Sequence, residues 1–287
     1  QMGLILKMYA NESKGEKFPP KAVDSGNFFF SLAETYPEYL TDLNTIFCPS
    51  DAGNSADTYL PSGGDWRDPV TDQLAIELMD GDWSTGIYTP KVSAPFPGAP
   101  LAESNDTSDR SYIYLGYAIK DNAVISPYTN AGGTQGIFSF FVSVMIAPYI
   151  TSYLTADPAA LQAVRDSLQS DHSFNHPGNS KYAVGEQIQL LQFREGIERF
   201  MITDINNPAG SAKAQSELSI MWDVVGESVS VFNHVPGGAN VLFMDGHVEF
   251  QKYKANGTTA TDPLGGGGED DQFPTSTAWA KITSLGS

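Results

Sequence analysis

Apolar positions open the chain in a pattern that fits neither a one-sided helix nor a strand. Met2, Leu4, Ile5, Leu6, Met8 and Tyr9 fall nearly all round a helical wheel, so the spacing predicts a helix over 1–11 buried on most sides. No Ser, Thr, Asp or Asn caps its start, which places the expected origin of the helix upstream of Gln1. Lys14-Gly15 and Phe18-Pro19-Pro20 end it. Residues 27–40 read as a short helix stopping before Pro37. A strand is predicted over 111–119 (SYIYLGYAI), and a long apolar helix over 136–154. Asp157-Pro158 starts a further helix, as Asp68-Pro69 does for 69–79. Three short strands are expected at 199–203, 218–222 and 241–244, with a small helix at 208–216 between the first two. The sharpest signal is Asn240 to Tyr253, where two β-rich runs flank Asp245-Gly246. That predicts a hairpin with a type I′ turn, in which both turn residues have positive φ. Beyond the turn His247, Glu249 and Gln251 alternate with Val248, Phe250 and Lys252, so one face packs and the other is wet.

These elements give an α+β chain, read as one continuous globular unit with three stretches. Residues 1–51 hold the N-terminal helix, 52–180 an irregular elaboration, and 181–287 an antiparallel sheet, the hairpin and an acidic loop. The elaboration is rich in Gly, Pro, Asp, Asn and Ser, and stretches of that kind in a compact domain are usually functional. Composition supports a folded chain: of 287 residues, 41% are hydrophobic, 11% aromatic and only 17% charged.

A net charge of −18 excludes the usual nucleic-acid binder, which replaces phosphate counterions with Lys and Arg. The same charge disfavours docking on an anionic membrane surface. It is compatible with divalent cations and an exterior location. The single cysteine, Cys48, leaves no intrachain disulfide and no cysteine-based zinc site. Residues 1–11 do not read as a secretory leader. Polar residues and Pro148 interrupt 136–154, so a buried helix is expected there rather than a membrane span.

Several clusters carry candidate chemistry. His172 and His176 have the spacing of metal ligands on a helix, but Asn175, Pro177 and Gly178 favour a loop with polar roles. Asp204, Asp223 and Asp245 each end an apolar run, with His234 and His247 nearby. Three carboxylates at one sheet end could hold a metal for hydrolysis; the simpler reading is that Asp begins turns. Asp80-Gly81-Asp82 lacks the rest of a calcium loop. Asp262, Glu269, Asp270 and Asp271 lie in a glycine-rich segment that could offer carbonyls and carboxylates to Ca²⁺. No phosphate-binding loop, dinucleotide fingerprint or nucleophile elbow is present.

Two sets of residues carry a family resemblance. Met8-Tyr-Ala-Asn-Glu followed by Phe18-Pro-Pro resembles the start of the globular part of major pseudopilins of type II secretion. Phe47-Cys48-Pro49-Ser50-Asp51 is similar to a Cys-Pro segment of a large pilin-like family abundant in planctomycetes. That family also carries a C-terminal His-Pro-Gly-Gly-Ala-Asn-Val-Leu-Phe-x-Asp-Gly-His-Val signature. Its counterparts here are His234, Gly237, Gly238, Asn240, Asp245, Gly246 and His247, with Val235 lengthening the His-to-Asp spacing from nine to ten. Together these segments cover roughly a quarter of the chain, and 52–170 has no counterpart in the pattern.

The resemblance implies a pilin-like fold in which an N-terminal helix, truncated here, packs on an antiparallel sheet. It implies a noncatalytic, extracellular or cell-surface subunit that assembles with itself into a filament. Met2, Leu4, Ile5, Leu6, Met8 and Tyr9 would then be the self-assembly interface. Membrane contact would come only through a helix segment that this sequence does not contain. The family's calcium loop matches Asp262, Asp270 and Asp271 loosely, which makes Ca²⁺ the expected cofactor. Two other classes stay open. One is a metal-dependent hydrolase using Asp204, Asp223, Asp245 and His234. The other is an adhesion or glycan-binding module around Trp66, Trp83 and Tyr88.

Overall fold

The computed structural model describes residues 1–21, 28–32, 34–51, 111–119, 163, 166–176, 182–200, 215–226, 232–234, 237–253, 273–275 and 279. Within them the chain is α+β, with one N-terminal helix and two antiparallel sheets. The expected elements at 69–79 and 136–154 lie outside the described residues. So do Trp66, Trp83, Tyr88, Asp204, Asp262, Glu269, Asp270 and Asp271. Among the described residues no helix is long and apolar enough to cross a membrane.

Helix α1 spans Met2–Glu12, as the apolar run predicts. Its burial is one-sided. Ile5, Leu6 and Ala10 are buried, Met2 and Tyr9 are half-buried, and Leu4 and Met8 are exposed. The helix therefore presents two apolar surfaces, one turned to its own chain and one to solvent.

The strands are β1 (Tyr112–Ile113), β2 (Tyr117–Ala118), β3 (His172–Asn175), β4 (Gln187–Gln192), β5 (Ser219–Asp223), β6 (Gly238–Phe243) and β7 (Val248–Lys252). Four of them form the order β1-β5-β6-β7, and three form β2-β4-β3. The predicted single strand over 111–119 is split between the sheets, because Gly116 adopts φ 79° between β1 and β2. Residues 28–40 are not helical in their described part. Phe30 bridges Lys21 in antiparallel fashion, and turns run over 34–39. The strand expected at 199–203 begins instead as a 3₁₀ turn, Ile197–Phe200.

The four-stranded sheet separates two hydrophobic clusters. Ile113, Trp222, Val241, Phe243 and Trp279 belong to one. Ile5, Leu6, Ala10, Phe18, Met221 and Leu242 belong to the other, so α1 lies across that face. A register shift between Ser219 and Met221 lets both Ile220 and Met221 join the helix side. Polar ties fix the helix laterally. Lys7 pairs with Glu195 at 2.7 Å, Tyr39 donates to Glu12 at 2.8 Å, and Tyr9 donates to Glu34 at 2.5 Å.

The hairpin β6–β7 forms where predicted, but with a different turn. Phe243 N–H bonds the His247 carbonyl at 3.0 Å, and Gly246 N–H bonds the Phe243 carbonyl at 2.9 Å. Gly246 has φ 92°, whereas Asp245 does not have a positive φ. This is a three-residue loop, a turn closed by a left-handed glycine, rather than the two-residue type I′ form. The strand faces also differ from a simple apolar-in rule. Gln251 is buried, while Val248 and Phe250 are exposed.

Candidate functional site

Cys48 reaches the sheet through two short local structures. Asp42 caps the 3₁₀ turn Leu43–Ile46 by accepting from Asn44 N–H at 2.9 Å. Cys48 to Asp51 then form a turn, closed by Asp51 N–H on the Cys48 carbonyl at 3.0 Å, with Pro49 at its favoured second position. Ser111 Oγ donates to Asp51 at 2.9 Å and ties this turn to the edge of β1. Asp223 is the last residue of β5, and Asn240 lies in β6 beside it.

His234 sits just ahead of β6. Gly237 N–H bonds its carbonyl at 3.0 Å, and His234 bridges Gly238. Gly238 has to be glycine for lack of space. A Cβ there would lie 2.5 Å from Phe250 Cζ and 2.6 Å from the Gln251 carbonyl oxygen.

These elements bring three ligand-type side chains together. One donor atom from each of Cys48, Asp223 and His234 lies within 4.8 Å of the other two. His234 Nε2 is 3.5 Å from Cys48 Sγ, 3.0 Å from Asp223 Oδ2 and 2.9 Å from Asn240 Nδ2. Asp223 Oδ2 also accepts from Asn240 N–H at 2.7 Å and from Asn240 Nδ2 at 2.9 Å. Its second oxygen, Oδ1, is buried and has no hydrogen-bond partner among the described residues. Phe250 lies edge-on to the His234 ring, with centroids 6.2 Å apart.

Burial sets the proton chemistry. It pushes the Asp223 carboxyl above its usual range, despite opposing hydrogen bonds from Asn240 and the charge of His234. Burial likewise raises the Cys48 thiol, and the Asp223 and Asp51 charges add to the effect. Tyr112, beside Cys48, is raised first by burial and then by the Cys48 and Asp223 charges.

A cavity of about 820 Å³ adjoins the cluster. Cys48, Asp223, His234 and Asn240 contribute to one side of it, and Met2, Gly3 and Leu4 of α1 to another. The cluster is not arranged as a nucleophilic relay. Such a relay places acid and nucleophile on opposite ring nitrogens, whereas Cys48 and Asp223 converge on the same one.

Of the residues expected in metal-assisted hydrolysis, Asp223 and His234 do meet. Asp245 reaches the cavity wall but is outside the ligand cluster. Its Oδ1 bonds His247 Nδ1 at 2.5 Å, and the His247 ring stacks on Phe243 with centroids 4.4 Å apart. Burial alone would raise the Asp245 carboxyl. The His247 ring and backbone N–H outweigh burial and hold it below the usual range.

His172 and His176 belong to a strand and its end rather than to a loop. His172 opens β3, and His176 follows its last residue. His172 Nε2 lies 2.7 Å from the Ser167 carbonyl, and His176 packs against Tyr182. The residue that sequence reasoning misses is Cys48. A lone cysteine suggests no cysteine-based zinc site, yet the fold supplies this one with a histidine and a carboxylate. The Cys-Pro segment and the His234 signature are both visible in the sequence, but 186 residues separate Cys48 from His234.

No family model, curated protein or solved structure matches the chain.

Proposed function

We propose that this chain is a noncatalytic, self-associating subunit of a pilus-like extracellular or surface assembly. The observation that carries the reading is α1, which packs across an antiparallel sheet through Ile5, Leu6 and Ala10 while leaving Leu4 and Met8 in solvent. Leu4 is 65% exposed and Met8 41% exposed. A helix with an apolar outer edge gains from a second apolar surface, since each buried methylene contributes about 0.8 kcal/mol. Val248 and Phe250 on β7 are exposed as well, and Val248 shares the cavity wall with Leu4. Of the six residues expected at the interface, Ile5 and Leu6 are thus taken by the chain's own core, and Leu4 and Met8 are the ones presented outward. The motif resemblance supplies the kind of assembly. Calcium in 262–271 remains a proposal resting on sequence alone.

The test is sedimentation and electron microscopy of the purified chain, against a Leu4→Asp/Met8→Asp variant, with calcium and with chelator. Concentration-dependent particles or filaments that the double variant loses, at unchanged circular dichroism, support the reading. A wild-type chain that stays monomeric at every concentration, with and without calcium, refutes it.

A further inference from the structure

We propose that Cys48, Asp223 and His234 form a binding site for one Zn²⁺ ion, whose fourth coordination position faces the cavity beside α1. The site stands apart from the assembly reading and uses none of its residues.

One nitrogen of the cluster is crowded. His234 Nε2 has Asp223 Oδ2 at 3.0 Å and Asn240 Nδ2 at 2.9 Å. If Nε2 carries a proton, it satisfies the carboxylate but opposes the Asn240 N–H. Without the proton it accepts from Asn240 but faces a carboxylate lone pair. A ring nitrogen has one donor or one acceptor position, not both. A cation between Nε2 and the carboxylate removes the conflict, with Asn240 turning to the carboxylate alone.

The second oxygen of the same carboxylate is also short of partners. Asp223 is 1% exposed, and among the described residues its Oδ1 has no partner. Leaving a buried carboxylate oxygen unsatisfied is costly, and native structures hold few such groups without a reason.

Two edges of the cluster can be set against those of the ion. A tetrahedral zinc with Zn–S near 2.3 Å and Zn–N near 2.05 Å holds sulfur and nitrogen about 3.6 Å apart. The Cys48 Sγ to His234 Nε2 distance is 3.5 Å. Nitrogen and carboxylate oxygen should be about 3.4 Å apart in such a site, so the observed 3.0 Å has to open by a few tenths of an ångström.

The donor set selects the metal. Thiolate and imidazole are poor ligands for Ca²⁺ or Mg²⁺, which take oxygen. One sulfur, one nitrogen and one oxygen suit a borderline ion, and three protein ligands leave zinc a position for water or another donor. Binding releases the Cys48 proton, because the ligand is the thiolate. Asn240 is then a positioning residue: its side-chain Nδ2 donates to Asp223 Oδ2 at 2.9 Å, beside its backbone N–H at 2.7 Å.

The test uses the full chain, stripped with chelator under reductant and titrated with Co²⁺, then with Zn²⁺. Cys48 is the chain's one cysteine, so a thiolate-to-cobalt charge-transfer band assigns the sulfur ligand without ambiguity. The expected result is one Co²⁺ per chain with that band, bleached by an equivalent of Zn²⁺. Cys48→Ser should abolish the band, and His234→Ala and Asp223→Asn should weaken Zn²⁺ binding about a hundredfold or more. Asn240→Ala should cost about tenfold. Saturable cobalt binding without the band overturns the proposal, as does Zn²⁺ affinity unchanged in His234→Ala. Absence of Co²⁺ and Zn²⁺ binding to the unsubstituted chain overturns it too, whatever the variants do.

Discussion

Replacing Gly238 by alanine tests how closely β6 and β7 approach beside the site. The φ of Gly238 is one that any residue adopts, so the penalty is spatial. Three atoms, two of them on one ring, stand in the way of the new Cβ. Phe250 Cζ, at 2.5 Å, belongs to a ring that is 49% exposed and free to swing outward. The Gln251 carbonyl oxygen, at 2.6 Å, is backbone and cannot. Ordinary contact begins at 3.4 Å, so the strands have to part locally by about 0.8 Å, enough to lengthen one or two ladder hydrogen bonds past useful range. Each lost bond costs about 0.5–1.5 kcal/mol, which agrees with about 1–3 kcal/mol for overpacking a tight site. For a chain this size that is a fall of roughly 2–12 °C in Tm. The assay is thermal unfolding followed by circular dichroism, with Phe250→Ala and the double variant alongside. The backbone oxygen remains in the double variant, so removing the ring should recover only part of the loss. A Gly238→Ala chain that melts with the wild type refutes the reasoning. Full recovery on Phe250→Ala refutes the part assigned to Gln251.

Gly246 poses the opposite case: φ is 92°, and a Cβ added there would meet nothing within 4 Å. Alanine there should cost about 1–2 kcal/mol from conformation alone, and Gly246→Asn should recover part of it in urea unfolding, because Asn tolerates the left-handed region. Leu6 is fully buried between α1 and the sheet, so Leu6→Ala should lose about 2–5 kcal/mol and speed proteolysis within residues 1–12. Asp245 and Asp223 should give pH signatures of opposite sign in metal-free protein. The folded Asp245 carboxyl lies below its ordinary 3.8, so its contribution is present above that value and fades as pH falls through the lower folded value. Melts of wild type and Asp245→Asn should converge toward acid. The folded Asp223 carboxyl lies above 3.8, so its charged form is penalised once pH rises past the folded value. Asp223→Asn should therefore gain on wild type as pH rises from 4 to 7, and a difference independent of pH would sink the burial argument.

The elements legible in the sequence are those with local causes. Helix α1, β5, β6 and the position of the β6–β7 loop all follow from apolar spacing and turn residues within a dozen positions. What sequence misreads depends on distant partners. Residues 28–32 look helical by spacing, yet Phe29, Phe30 and Leu32 are buried in the cluster that α1 also joins, and Phe30 pairs with Lys21. The strand at 111–119 is broken by Gly116 because its two halves pair with different strands, β5 and β4. On β7 the alternation is there, but which face is buried depends on what covers it: Gln251 accepts from Thr275 and is buried, while Val248 lines the cavity and Phe250 is exposed. The hairpin dipeptide Asp-Gly fits two turn types, and the three-residue loop wins here because Phe243, not Met244, pairs with His247.

The same distinction between local and distant causes explains why the site is half legible. Asp223 and His234 stand out as a carboxylate at a strand end and a histidine just ahead of a glycine pair, whereas their third partner comes from the turn at 48–51. A cysteine read alone has no chemistry; its role appears only once the β1 edge, through Ser111 and Asp51, draws that turn against β5. Gly237 and Gly238 belong to this arrangement as well. Gly238 admits β7 close to β6, and Gly237 lets the chain reverse so that His234 meets Asn240. The two glycines therefore shape backbone, while His234 and Asn240 touch Asp223. The cavity separates this cluster from the outward edge of α1, which makes the two proposals independently testable. Leu4→Asp should leave the cobalt band in place, and Cys48→Ser should leave self-association in place. If each variant lost both properties, the cavity would be one site, with α1 held in its assembling position by the metal.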